Sequence, residues 1–316
     1  MTTKPLHQHK TLGYLSILND QVASRAIDKR SPLIVRKLSF TCPVSEKNHE
    51  RLNQRLRALT LNNPRFTQEK SNDCNYRNCI SYQTTNDSLL QILWEPRNSS
   101  INFVKCELDT NELSDQCYSE LSKALSQLFP TKFIDNVIRK KSRINKIAVE
   151  LKLKNIALEN IVLALSRCKS SAHVVGDSEC HSYQVIGSEK CDQVVITKGF
   201  DKQRSNKVFG FDTDVIFILQ PKKEKINIGS IKDIKIKLEY FFILADSIKD
   251  YIPISYLYMI NTIGLKSALE QFSKDEHFLI MDTIEKYKYQ IDASQVNEWL
   301  ADTLEELDST LFNHNK

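Results

Sequence analysis

The chain has 316 residues and a net charge of +5, and 41% of it is apolar, enough for one large core or two modest ones. No apolar run approaches the roughly 18 residues that cross a bilayer, and no signal-like stretch follows the start, so a cytoplasmic protein with no membrane partner is expected. Seven glycines, none arranged as GxxxxGK[ST] or GxGxxG, argue against a P-loop or dinucleotide-binding machine.

Residues 1–10 read as disordered. Apolar alternation predicts strands over Tyr14–Leu18 and Leu33–Phe40. Pro43 and a Ser45 N-cap open a helix with Leu52, Leu56 and Leu59 on one face and Arg51, Arg55 and Arg57 on the other, until Asn62–Pro64 stops it. A polar loop at Ser71–Asn78 precedes strands at Cys79–Gln83, Leu89–Trp94 and Ile101–Leu108. Ser114–Phe129 reads as a helix that Pro130 ends. Ile144–Leu153 alternates as a strand, and Ile156–Cys168 reads as a helix. Tyr183–Ile186, Gln193–Ile196, Val215–Leu219 and Ile231–Ile243 read as further strands. After Pro253 the pattern turns helical over Ser255–Phe272, Lys274–Lys288 and Ser294–Phe312. This order is that of an α+β protein, with an antiparallel-rich sheet, interspersed helices and a C-terminal helical tail. The division expected is an α+β domain over 11–250 and a helical region over 251–316.

Charge is unevenly spread. Arg25–Arg65 holds ten Lys and Arg against three acids, and Lys132–Lys154 eight against two. The last helix region, Asp292–Leu311, has six acids and no Lys or Arg. Charge runs are often solvated faces, but two basic runs in one chain suit a polyanionic partner. The segment Lys198–Lys207 has four Lys or Arg and one aromatic directly after a strand, a composition suited to phosphate contact.

Chemistry-bearing motifs are sparse. Eight cysteines read as free thiols in a reducing compartment. Neither Cys74 with Cys79 nor the group His173, Cys180, His181 and Cys191 has the two short pairs of a zinc site. His7 and His9 have polar, terminal flanks, and no GxSxG elbow is present. Glu150 and Glu239 each lie in a Lys-lined strand. They would pair with a lysine or, as hard oxygen ligands, hold Mg²⁺ or Mn²⁺.

Leu93-Trp94-Glu95-Pro96 followed by Phe103–Leu108 resembles the paired strands of plasmid and filamentous-phage rolling-circle replication initiators. Lys146–Lys152 is similar to their Arg-Ile-Asp-x-Ala-x-Asp strand, and Tyr183–Ser188 to their Tyr-x-x-Gly-Ser strand with one residue added. Ile196-Thr197-Lys198 falls where the family has Tyr-Asp/Asn-Lys, and Lys237-Leu238-Glu239 resembles its Arg-Ile-Glu. Gly264–Leu269 through Trp299 is similar to the family's C-terminal end. The similarity runs from about Leu33 over most of the chain, in short, degenerate pieces.

The resemblance implies an initiator that nicks origin DNA. A tyrosine hydroxyl attacks a phosphodiester and stays joined to the 5′ end, while acidic residues hold a metal ion. This sequence departs from the pattern at the chemistry. Ile196 stands in the tyrosine's place, and Ala148 and Lys152 in those of two metal aspartates. Glu150 and Glu239 remain as metal candidates and Tyr183 and Tyr240 as nearby nucleophiles, or nicking is lost.

The expectation is a DNA-binding replication protein of a plasmid or other mobile element, acting in initiation or copy control. Its phosphate contacts would be Arg51, Arg55, Arg139, Lys140, Lys141, Arg143, Lys198, Lys202 and Arg204. The sequence leaves a homo-oligomer open. The alternative is an interaction module whose acidic C-terminal helices, with Asp292, Glu298, Asp302, Glu305 and Glu306, bind a basic partner.

Overall fold

A computed structural model describes residues 33–98, 102–110, 115–166, 171–174, 183–188, 191–198, 212–221 and 224–312. The segments 1–10, Tyr14–Leu18 and 199–207, with Lys202 and Arg204, lie outside them. The protein is α+β. It divides into two compact units, and three of the boundaries fall inside elements: two in strands and one in the last helix. The first unit holds the described residues of Leu33–Glu150, Ile218–Lys235 and Glu298–Lys316. The second holds those of Leu151–Phe217 and Ile236–Asn297, so segment 251–316 contributes to both.

In the first unit, β1 (Leu33–Pro43) leads into α1 (Glu46–Asn62), followed by β2 (Phe66–Lys70), β3 (Tyr76–Gln83), β4 (Leu89–Pro96) and β5 (Phe103–Asp109). The strands lie in the order β2-β3-β4-β5-β1, each paired antiparallel to its neighbour. Residues opposite each other on paired strands share a face. One row across all five strands is Phe66, Tyr82, Leu90, Leu108 and Leu38, all buried. The adjacent row, on the other face, is Thr67, Ser81, Gln91, Glu107 and Ser39. These rows set an apolar face against a more polar one, on which Cys79 and Leu93 form a small buried cluster.

On the polar face Lys105 reaches Asp73 at 2.9 Å and Glu107 at 3.1 Å. Burial alone would raise the Asp73 carboxyl, but hydrogen bonds from Lys105 and Asn75 outweigh it and hold the group below its ordinary value.

α2 (Asp115–Leu128) buries Cys117, Tyr118, Leu121, Ala124, Leu125 and Leu128, an apolar stripe at helical spacing. α1 buries Leu52 and Leu56. Each buried leucine contributes about 1.5–3 kcal/mol of burial free energy. Three helical turns in succession, Thr131–Phe133, Ile134–Ile138 and Arg139–Lys141, form α3, whose middle turn is π-helical. β6 (Arg143–Leu153) follows directly.

In the second unit a 3₁₀ turn, Leu158–Asn160, leads into β7 (Ile161–Leu165). The helix expected over Ile156–Cys168 is thus mostly a strand. Its Ile-Val-Leu-Ala-Leu run is too short and too uniformly apolar for periodicity to separate the two states, and four of its five residues are buried. β8 (Ser171–Val174), β9 (Tyr183–Gly187), β10 (Gln193–Lys198) and β11 (Thr213–Leu219) lie in the order β11-β10-β9-β8.

The strand expected over Ile231–Ile243 begins later. A reciprocal Asn227–Ser230 capping box starts a 3₁₀ turn over Ile228–Asp233, and β12 spans only Leu238–Leu244. β12 pairs with β7 and with β13 (Lys288–Gln290).

The expected helix Ser255–Phe272 is two pieces, α4 (Ile254–Ile263) and α5 (Leu265–Leu269). They are broken at Gly264, whose φ of +84° no other residue adopts cheaply. α6 (Lys274–Tyr287) and α7 (Ala293–Leu311) complete the chain. Among the described residues no helix is long and apolar enough to cross a membrane.

Candidate nucleic-acid interface

The basic run Lys132–Arg143 occupies α3 and the start of β6. Ile134 and Ile138 anchor its apolar side, and Phe129 stacks on Phe133 at 5.2 Å. A second segment fixes its C-terminal end. Asn227 Nδ2 donates to the Lys140 carbonyl at 3.3 Å, Ile228 N–H to Ser142 Oγ at 3.1 Å, and Ile144 N–H to the Ile226 carbonyl at 2.9 Å. Gly229 packs so closely that a Cβ there would lie 3.0 Å from the Arg139 carbonyl oxygen. The helix end is held from outside, and Lys140, Lys141 and Arg143 project from it exposed.

The cations of this run differ in their engagements. Arg139 is bidentate to Asp308 on α7, at 3.2 and 2.8 Å, so its charge is met inside the unit. Among the described residues Lys140 Nζ reaches only its own helix, at Asn136 Oδ1. Lys132 and Lys141 have no side-chain partner among the described residues. A cation in a last helical turn gains about 0.3–1 kcal/mol from the helix dipole, which would account for one lysine there with no ligand at all.

On α1, Arg51 is exposed and has no partner among the described residues. Arg55 instead donates to the carbonyls of Gln127 at 2.8 Å and Ser126 at 3.4 Å, closing the C-terminal end of α2. The Lys198 backbone ends β10, and its side chain lies outside the described residues.

Of the residues singled out for cleavage, Glu150 belongs to the first unit, and Tyr183, Glu239 and Tyr240 to the second. Ile196, in the place the resemblance gives to a tyrosine, is fully buried opposite Gln184. Tyr183, on β9, is 36% exposed and stands opposite Thr197 and Val174. The Tyr240 hydroxyl accepts the Leu265 N–H, and burial, with the Glu239 charge, raises its pKa above the usual value for tyrosine, which disfavours the phenolate.

Glu150 is 2% exposed and ion-paired to Arg36, while the exposed Glu239 belongs to the other unit. The Arg36 guanidinium meets the Glu150 charge within the first unit. Among the described residues no group of three or more His, Cys, Asp or Glu is placed to hold a metal ion.

The sequence pointed to the basic run but not to its support. Asn227 and Gly229 lie some ninety positions away, and only the tertiary fold brings them to the helix end. No model of a known protein family matches the chain, and no curated protein matches it either.

Proposed function

We propose that the chain is a DNA-binding replication protein of a plasmid or other mobile element, and that α3 with the start of β6 meets the phosphate backbone. One observation carries this reading: Lys140, Lys141 and Arg143 project from a helix end that Asn227 and Gly229 hold in place. Side chains on a held element give up less freedom when they meet a phosphate than side chains on a loose loop. The resemblance to rolling-circle initiators supplies the biological role. Against cleavage stand the buried Ile196 in the tyrosine's place, and Ala148 and Lys152 in those of two metal aspartates.

The test is binding of the purified full chain to single- and double-stranded oligonucleotides. A denaturing gel run after incubation with Mn²⁺ then detects a covalent protein–DNA adduct. Binding without an adduct is the expected result. An adduct abolished by the double variant Tyr183→Phe, Tyr240→Phe would restore nicking to the account. Absence of binding would overturn the reading in favour of a module that meets a basic partner through Asp292, Glu298, Asp302 and Glu306. These acids are exposed, whereas Glu305 and Asp308 on the same helix already hold Lys232 and Arg139.

A further inference from the structure

A second cluster lies under α1. This helix leaves β1 at Ser45 and hands the chain to β2 at Phe66, so it passes over the strands between them, β5, β4 and β3. His49, Asn53 and Arg57 fall at four-residue intervals on α1 and form one stripe. Arg57 Nη2 lies 3.4 Å from Glu95 Oε1, and the same carboxylate acts electrostatically on His49. Asn53 is midway between these two, so the stripe lies over the end of β4.

That strand end is irregular in a way that concentrates polar groups. In a regular strand Trp94 and Glu95 would point to opposite faces. Glu95 instead has a φ of +54°, the left-handed region that a glutamate rarely occupies and that tends to mark functional sites. Its carboxylate accepts from Asn78 Nδ2 at 2.6 Å, and Asn78 stands opposite Trp94 in the ladder. Trp94 and Glu95 therefore project to the same side, toward α1.

Three polar atoms on α1 and at the end of β4 are shut off from solvent and have no hydrogen-bond partner among the described residues: His49 Nε2, Asn53 Oδ1 and Trp94 Nε1. A buried polar atom left this way costs about 1–3 kcal/mol, so three on a helix and the strand end it covers call for a common explanation.

We propose that His49, Asn53 and Glu95 bind one divalent transition-metal ion, with water completing its shell and accepting from the Trp94 indole N–H. An imidazole nitrogen with two oxygens suits the borderline metals, and the i, i+4 spacing on a helix places two of the ligands on one face. Glu95 keeps lone pairs for the metal, because Asn78 and the distant Arg57 take up two of its roughly four acceptor positions. The competing explanation is a single ordered water joining the three unpartnered atoms.

The experiment is titration of the metal-free full chain with Co²⁺ alone, followed by equilibrium dialysis and visible absorption. One equivalent should bind without a thiolate charge-transfer band. Affinity should fall at least tenfold in His49→Gln and in Glu95→Gln, and should be unchanged in His277→Gln, an exposed histidine on α6. Circular dichroism checks that each variant folds, and Glu95, at the edge of the cluster, serves if His49→Gln does not fold. Co²⁺ should also raise the Tm of the wild-type chain but not that of Glu95→Gln. No stoichiometric binding, or binding unchanged in both ligand variants, would overturn the proposal and leave the ordered water.

Discussion

The two units deploy their polar and apolar side chains differently. The first meets several of its charges across the sequence: Arg36 with Glu150, Lys105 with Asp73 and Glu107, Arg139 with Asp308, and Lys232 with Glu305. Lys132, Lys141 and Arg51 are among its cations with no partner among the described residues. The second unit instead turns large apolar side chains outward, with Tyr251, Ile254 and Tyr258 near or on α4 and Phe278 and Leu279 on α6. The contrast teaches that exposure is informative only relative to how the rest of a unit treats the same kind of residue. Cations without a partner that project from a held element point to a polyanion more strongly than a raw count of lysines.

The comparison breaks most visibly at the buried pair. Arg36→Ala leaves Glu150 charged and almost fully enclosed, and is expected to cost about 3–5 kcal/mol in urea unfolding. Replacing both partners by apolar residues of similar size should recover much of that loss. A small effect from the single variant would mean that the first unit does not depend on internal pairing.

Gly229→Ala comes next. The added methyl meets the Arg139 carbonyl, a backbone atom that cannot swing aside, and about 1–2 kcal/mol of stability should be lost with DNA affinity reduced alongside. Asn227→Ala removes the bond to the Lys140 carbonyl without adding bulk, and about 1 kcal/mol is expected.

Acid should then erode the Lys105 network. The folded Asp73 carboxyl is held below its unfolded value near pH 4, so its contribution is present above that pH and disappears as pH falls through the folded value. In Asp73→Asn the stability-versus-pH curve should flatten in that window. In the second unit, Phe278→Ser should change stability by less than about 0.5 kcal/mol, because this 75% exposed ring leaves little burial to lose.

Much of the fold was legible because its signals are local. The Ser45 start of α1, the stripe of α2 and the alternation of β6 each need only a short window of sequence. Ile161–Leu165 was misread as helix because a uniformly apolar run carries no period, and its pairing with β12 depends on residues some eighty positions away. The basic run was equally legible, but its partition was not. Arg139 and Arg55 look like Lys140 and Arg51 in sequence, and only the fold brings Asp308 to one and the end of α2 to the other. The cluster of His49, Asn53 and Glu95 gave no signal, since its ligands come from a helix and from a strand end that breaks its own alternation.

The central claim is that Lys140, Lys141 and Arg143 meet DNA phosphates, and the salt dependence of affinity tests it most directly. Each phosphate contact on a duplex contributes about 0.9 to the slope of log affinity against log salt. The triple variant Lys140→Gln, Lys141→Gln, Arg143→Gln should bind more weakly, and its slope should be shallower by about 2 to 3. An unchanged affinity and slope across the titration would contradict the account.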